Sequence, residues 1–277
     1  MATLTVPVPG GSLFVQDEGS GRPIVLLHAG IVDSRAWDPL VPHLVGRGFR
    51  AIRYDARGFG RTVTEDVPFS NRADVVAVLD QLGVVRACLV GNSRGGHIAV
   101  DTAVEYPDRV AALVLIGSNI GGYEPEPTPE EAEAFAAMDR LEAELKERGD
   151  REASADFMVR LWVDGIGQPE GRAPADVRAA VREMAFAVSD PTRPNGRPIP
   201  LDPAAATRLG SLSMHILALA GELDVSDIAA TARHIEATAP NARAMLIPGV
   251  AHMVAMEIPE RVAALIAELV APVGSFG

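Results

Sequence analysis

Ala87-Cys88-Leu89-Val90-Gly91-Asn92-Ser93-Arg94-Gly95-Gly96 runs from four apolar residues through a glycine-bracketed serine into a segment, 97–106, with helical spacing. The order is that of a strand, a sharp turn and a helix. Such a turn forces its central residue into a strained backbone conformation, and glycines two places to either side keep the neighbouring chains clear of it. The Ser93 hydroxyl is then left exposed at a strand end, close to the positive end of a helix dipole. In a chain with 26 glycines Gly-x-Ser-x-Gly alone carries little weight. Between an apolar run and a helix it marks Ser93 as a candidate nucleophile.

The surrounding chain has the matching rhythm. Residues 3–8 and 13–17 flank Pro9-Gly10-Gly11-Ser12, which predicts an antiparallel hairpin. The runs 24–27, 51–54, 87–90, 113–116, 216–220 and 244–247 are short, apolar and without strict alternation, as strands buried on both faces are. Most are separated by enough chain for a crossover helix, which predicts a mostly parallel sheet flanked by helices, an α/β fold. Val75, Val78, Leu79 and Leu82 form one helical face, Ile98, Ala99 and Thr102 another, and Val262, Leu265, Ile266 and Leu269 a third.

One interval breaks the pattern. From 119 to 211 there is no convincing buried strand, and the proline-rich 124–129 opens onto helical patterns at 130–148, 153–162 and 175–188. We expect residues 1–118 and 212–277 to form the core and 119–211 an inserted helical cap, with the proline-rich 191–203 as its return linker. A cap over Ser93 would shape a substrate pocket from Phe135, Met138, Phe157, Trp162 and Phe186; Trp37 is a further pocket candidate, or a core aromatic.

Composition narrows the function. The chain has 277 residues, 48% hydrophobic and 22% charged, as in an ordinary globular protein. A net charge of −12, with no basic stripe, argues against a nucleic-acid partner. The single cysteine, Cys88, cannot form an internal disulfide and reads as a small buried hydrophobe. The N-terminus lacks a basic region followed by a long apolar run, and no segment approaches a membrane span, so we expect a cytoplasmic protein acting on a small molecule.

A serine hydroxyl needs a base, nearly always an imidazole held by a carboxylate. Among six histidines, His252 lies in Pro248-Gly249-Val250-Ala251-His252-Met253, a loop after the last strand that emerges at the same sheet edge as Ser93. His28 ends a strand, His97 lies in the helix after Ser93, and His43, His215 and His234 fall within predicted elements. Leu217-Ala218-Leu219-Ala220-Gly221-Glu222-Leu223-Asp224 supplies the acid: Asp224 is favoured over Glu222 and over Asp227, which we expect to cap the following helix. Gly117-Ser118-Asn119, after another strand, offers no carboxylate. For the developing oxyanion the expected donors are the backbone amides of Arg94 and of Gly30, the latter chosen over Ile31. No His/Cys/Asp cluster has metal-ligand spacing and no glycine loop suits a phosphate, so neither metal nor cofactor is expected.

Taken together these segments resemble the α/β-hydrolase fold superfamily over nearly the whole chain. Leu26-Leu27-His28-Ala29-Gly30 is similar to its oxyanion loop, Tyr54-Asp55-Ala56-Arg57-Gly58-Phe59-Gly60 to its turn after the next strand, Gly91 to Gly95 to its nucleophile elbow, and Gly249 to His252 to its histidine loop. The order Ser93, Asp224, His252 is that of such enzymes. The resemblance implies hydrolysis of a small carboxylic ester or lactone. Two alternatives share the site: a carbon–carbon bond hydrolase for ring-cleavage diketones, and a non-catalytic small-molecule sensor. Two departures stand out: Ala29 where the family has glycine, and Arg94 where it has an apolar or neutral residue. Arg94 either meets an anionic group on the substrate or pairs with a nearby acid.

Overall fold

A computed structural model of the protein describes residues 1–271 and 273. The opening hairpin is β1 (Ala2–Val8) and β2 (Gly11–Gly19), paired antiparallel. The parallel strands follow as β3 (Arg22–Leu27), β4 (Phe49–Tyr54), β5 (Ala87–Asn92), β6 (Val110–Ile116), β7 (His215–Gly221) and β8 (Ala242–Ile247). In space the order is β1-β2-β4-β3-β5-β6-β7-β8, antiparallel between β2 and β4 and parallel from β4 onward. Each predicted run thus became a strand. The structure extends most of them by one to three residues at the less apolar ends.

Alternation within the apolar runs sorts side chains to the two faces, because successive strand residues point oppositely. Val25, Leu27, Leu89, Leu113 and Leu115 pack on one face with Val75, Val78 and Leu79 of α2 (Asn71–Gln81), Ile98 and Ala99 of α3 (Arg94–Glu105), and Ile228, Ala232 and Ile235 of α7 (Ser226–Thr238). Ile24, Leu26, Cys88, Val90, Val114 and Ile116 pack on the other with Val41 and Leu44 of α1 (Val41–Gly46) and Val262 and Ile266 of α9 (Pro259–Val270). Each such leucine or isoleucine contributes about 1.5–3 kcal/mol by leaving water, so this double-sided burial dominates the core's stability. Cys88 is one of these residues, and burial pushes its thiol up to about 12.

Between β6 and β7 stand α4 (Pro129–Glu147), α5 (Arg151–Val159), a π turn at Arg160–Asp164, and α6 (Ala175–Val188). Thr128 and Glu131 close a reciprocal capping box at the start of α4. The return chain is not featureless: Arg197–Pro198 pairs with Pro68–Phe69 of the segment before α2. Val159, Val163, Val177, Val181 and Met184 of the insertion pack on Ala29, Val32 and Ala36 of the segment after β3, on Met253 and on Met256 of α8 (Val254–Glu257). Among the described residues, no helix is long and apolar enough to cross a membrane.

Candidate active site

Parallel strands present all their C-terminal ends at one edge, where the loops after β3, β5, β7 and β8 converge. Ser93 occupies the turn between β5 and α3 with φ 54° and ψ −119°, the only non-glycine of positive φ among the described residues. The flanking glycines are required there. A Cβ on Gly91 would lie 2.3 Å from the Gly95 carbonyl, and one on Gly95 would lie 2.0 Å from the Leu27 oxygen. The strained residue is held by its amide, which donates to the Ile116 oxygen at 2.8 Å. The Asn92 amide adds bonds to the Ile116 oxygen at 3.0 Å and the His252 oxygen at 3.4 Å, linking the serine turn to the histidine loop.

His252 is buried, and its Nδ1 lies 2.8 Å from Oδ2 of Asp224. The other Asp224 oxygen accepts the Val225 amide at 2.9 Å, so both lone-pair sides of the carboxylate are used. Gly221 allows this approach, since a Cβ there would lie 2.2 Å from the Ala251 oxygen. Glu222, the rival acid, is exposed and accepts the Gly249 amide at 3.0 Å, bracing the histidine loop from outside. The ring and carboxylate are therefore brought together. No hydrogen bond joins the Ser93 hydroxyl to the ring among the described residues.

Asp227 corrects one expectation. Helix α7 begins at Ser226 with Val225 in the cap position and no side-chain cap bond, so Asp227 lies inside the first turn rather than capping it. Its Oδ1 is buried without a hydrogen-bond partner, and burial together with the neighbouring Asp224 charge raises its pKa.

The loop after β3 is set by His28. Its Nε2 accepts the Ala56 amide at 3.0 Å, so Nδ1 carries the proton donated to the Ala29 oxygen at 2.8 Å. Burial lowers the pKa of this ring and favours the neutral form that arrangement needs. Asp55 accepts the Ser34 amide at 2.9 Å and the Arg61 amide at 2.7 Å, and Arg57 is paired with Asp74 in the interior. The 55–60 turn is thus structural.

Arg94 and Trp162 reach the site. A Cβ on Gly30 would lie 3.7 Å from Arg94 Cδ, so the arginine stem crosses the candidate oxyanion loop. Trp162 packs its ring 4.6 Å from that of His252, tilted by 46°. Trp37 does not reach it: at 1% exposure it is locked among Ile24, Leu26 and Leu40 in the core, so the core-aromatic reading holds for it. Phe135 and Met138 are half-buried on α4 and are not among the side chains lining the cavity beside Ser93. That cavity, about 400 Å³, is walled by Arg94, His97 and Asp101 of α3 and by Asn71, Asn119 and the Pro198–Pro200 segment. Of this wall the sequence singles out only Arg94. Residues 94, 97, 98 and 101 share a face of α3 by spacing alone and were there to be found. The Pro198–Pro200 side depends on a pairing between segments 129 residues apart and left no local signal.

Among the described residues, no group of three or more His, Cys, Asp or Glu is arranged to hold a metal ion.

An edge of parallel strands carrying a half-buried, strained serine and a carboxylate-held histidine defines a known architecture. The chain belongs to the alpha/beta hydrolase family, whose model matches residues 24–265. It is 40% identical over 124 residues to the 2-hydroxy-6-oxononadienedioate/2-hydroxy-6-oxononatrienedioate hydrolase of Paraburkholderia phymatum, a match covering 40% of this chain and 43% of that one. The chain thus spans less than half the length of that curated relative. Among solved structures it is similar to the malate-bound thermophilic esterase from Thermogutta terrifontis (25% identity, TM-score 0.73, 98% of this chain and 99% of that). It is also similar to Est816, an N-acyl homoserine lactone degrading enzyme (26% identity, TM-score 0.69, 96% and 99%).

Proposed function

We propose that the protein is a serine hydrolase that cleaves a small carboxylic ester or lactone through an acyl-enzyme on Ser93. The observation that supports this most is the His252 Nδ1 to Asp224 Oδ2 contact of 2.8 Å. With Nδ1–H donating to the carboxylate, Nε2 is the ring's one free acceptor. In the reaction Nε2 takes the Ser93 proton as the oxygen attacks the carbonyl. The same proton then passes to the leaving alkoxide, and a water activated in the same way releases the acid. Asp224 keeps the ring in this tautomer and stabilises the imidazolium formed in each half. The amides of Arg94, first residue of α3, and Gly30 receive the oxyanion, with the dipole of α3 adding to them. Residues 119–211 serve as a cap on the core formed by 1–118 and 212–277, with Trp162 covering the histidine ring so that charge develops in a site shielded from water.

A second reading is carbon–carbon bond hydrolysis, favoured by the match to the P. phymatum hydrolase. The same triad serves it, and substrates decide. The test is hydrolysis of a short-chain p-nitrophenyl ester series by wild type and Ser93→Ala, with intact mass read after an organophosphonate probe. Activity and a single adduct on the wild type, both lost in the variant, support the proposal. A wild type that neither turns over nor takes label leaves a binding protein on the hydrolase fold.

A further inference from the structure

Arg94 follows Ser93 directly and lines the cavity beside it, and no ion pair among the described residues takes up its charge. Its guanidinium lies over the Phe59 ring, 5.0 Å from the centroid, and its Nη2 donates to Asn71 Oδ1 at 3.1 Å. Nη1 is buried and has no hydrogen-bond partner. Two acids of this region are already held by other arginines, among them Asp74, whose charge also acts on Arg94. Asp74 is held by both Arg57 Nε at 2.8 Å and Nη2 at 2.9 Å, and Asp33 by Arg35. Arg72, on the same cavity wall, is spent on Glu105, on the Ile199 oxygen at 3.0 Å and on Asp101. Asp101 is the carboxylate that lines this cavity; its Oδ2 is 3.9 Å from Arg72 and 3.5 Å from His97, while Oδ1 has no partner. It stands seven residues further along α3, about 10 Å by helical rise, and leaves the end beside the serine to Arg94.

A buried charged donor without a partner is expensive, and the plane of a guanidinium suits a carboxylate. Phe59 and Asn71 fix that plane before any ligand arrives. We infer that the cavity beside Ser93 is built for an anionic substrate, a short acyl ester or lactone bearing a free carboxylate that is bound by the Arg94 side chain. The inference rests on the serine-hydrolase reading for its chemistry, not for its binding. Because Arg94 is next to the nucleophile, the carboxylate sits only a few bonds from the scissile carbonyl. The substrate class is therefore the half-ester of a short dicarboxylic acid, or a lactone carrying an acid.

The experiment compares monoethyl adipate with its neutral counterpart ethyl hexanoate, followed by acid release, in wild type, Arg94→Met and Arg94→Lys. Wild type is expected to prefer the half-ester in kcat/KM by about tenfold or more. Arg94→Met should collapse that ratio toward one, with the loss carried by KM for the half-ester, and Arg94→Lys should keep part of it. A wild-type ratio near one, or a ratio unchanged by Arg94→Met, overturns the inference. Adipate binding to Ser93→Ala by calorimetry separates this outcome from failure of the hydrolase reading. Binding weakened about tenfold by adding Arg94→Met, or partly kept with Arg94→Lys where the Met variant does not fold, supports the anion site even if no ester is turned over. Adipate that does not bind, or binds independently of residue 94, overturns it.

Discussion

The sheet and the insertion are held together by different physics. In β6 all seven residues are buried, whereas in α4 only Leu145 of nineteen is. The core rests on apolar area, which is non-directional and scarcely responds to pH. The insertion has a narrow apolar strip, from Val159 to Met184, and beside it a set of directional bonds made largely by arginine. Arg172 donates to the Asp164, Val163 and Gly249 oxygens and forks onto Glu257, whose Oε1 also accepts the Ala251 amide. Arg35 bridges Asp33 of the core to Glu183 on α6. The loops bearing Ser93, Asp224 and His252 thus sit on a sheet buried on both faces, while the insertion is fastened largely by polar contacts where it meets the core.

The sharpest test lies in the core's own loops. Asp224→Asn should lower kcat by about 10⁴ while the fold melts normally, because the wrong imidazole tautomer is then favoured. Glu222→Gln and Asp227→Asn should each cost less than about tenfold, since neither carboxylate holds the ring. Comparable losses in all three would mean that the acid is shared. Next in size, Leu115→Ala should destabilise by about 2–5 kcal/mol in denaturant melts, against less than about 0.5 kcal/mol for Leu141→Ala on the exposed face of α4. Equal effects would break the contrast between the regions.

A third prediction concerns the junction. Arg172→Met leaves Glu257, 4% exposed at its side chain, without its counter-charge and should cost about 3 kcal/mol. The loss should appear first as faster proteolysis within 119–211 and as reduced turnover, because the same arginine touches the histidine loop through Gly249. Cleavage appearing instead in the sheet segments would show that the insertion does not open separately.

What could be read in advance follows the same division. Strands buried on both faces leave apolar runs that survive any detail of packing, so β3 to β8 and the loops bearing Ser93, Asp224 and His252 were legible. Helical periodicity likewise located α4 to α6. Docking was not legible: Phe135 and Met138 carry the same apolar signal as Trp162, yet only the last meets His252, since the π turn at Arg160–Asp164 sets its direction. Trp37 shows the converse, an aromatic beside the site in sequence that the core claims. Arg172 and Glu257 are 85 residues apart and belong to no motif, so nothing local marks them as partners.

The smallest expected effect separates the regions by pH. Asp164 is buried under α6; burial favours its neutral form, but the Arg160 hydrogen bond, the Gly171 and Ala173 amides and the Arg178 charge outweigh it and leave its carboxyl below the usual range. A carboxyl depressed on folding adds stability that is fully present above the unfolded value, about 3.9, and is lost as pH falls through the lower folded value. Asp33, at the same junction, is also depressed: its bonds to Arg35 prevail over the larger opposing effect of burial. Asp74 in the core has the opposite sign, since burial raises it despite Arg57, so acidification relieves a cost there instead of adding one. Between pH 7 and 5 the two regions should therefore hold together, and below about pH 4 the insertion should loosen before the sheet. Hydrogen exchange measured peptide by peptide across that range checks the order. Asp164→Asn should bring the early loosening of 151–188 to neutral pH and flatten its acid dependence. An insertion that exchanges in step with β5 and β6 at every pH would mean that the apolar strip alone, not the carboxylates, fastens it.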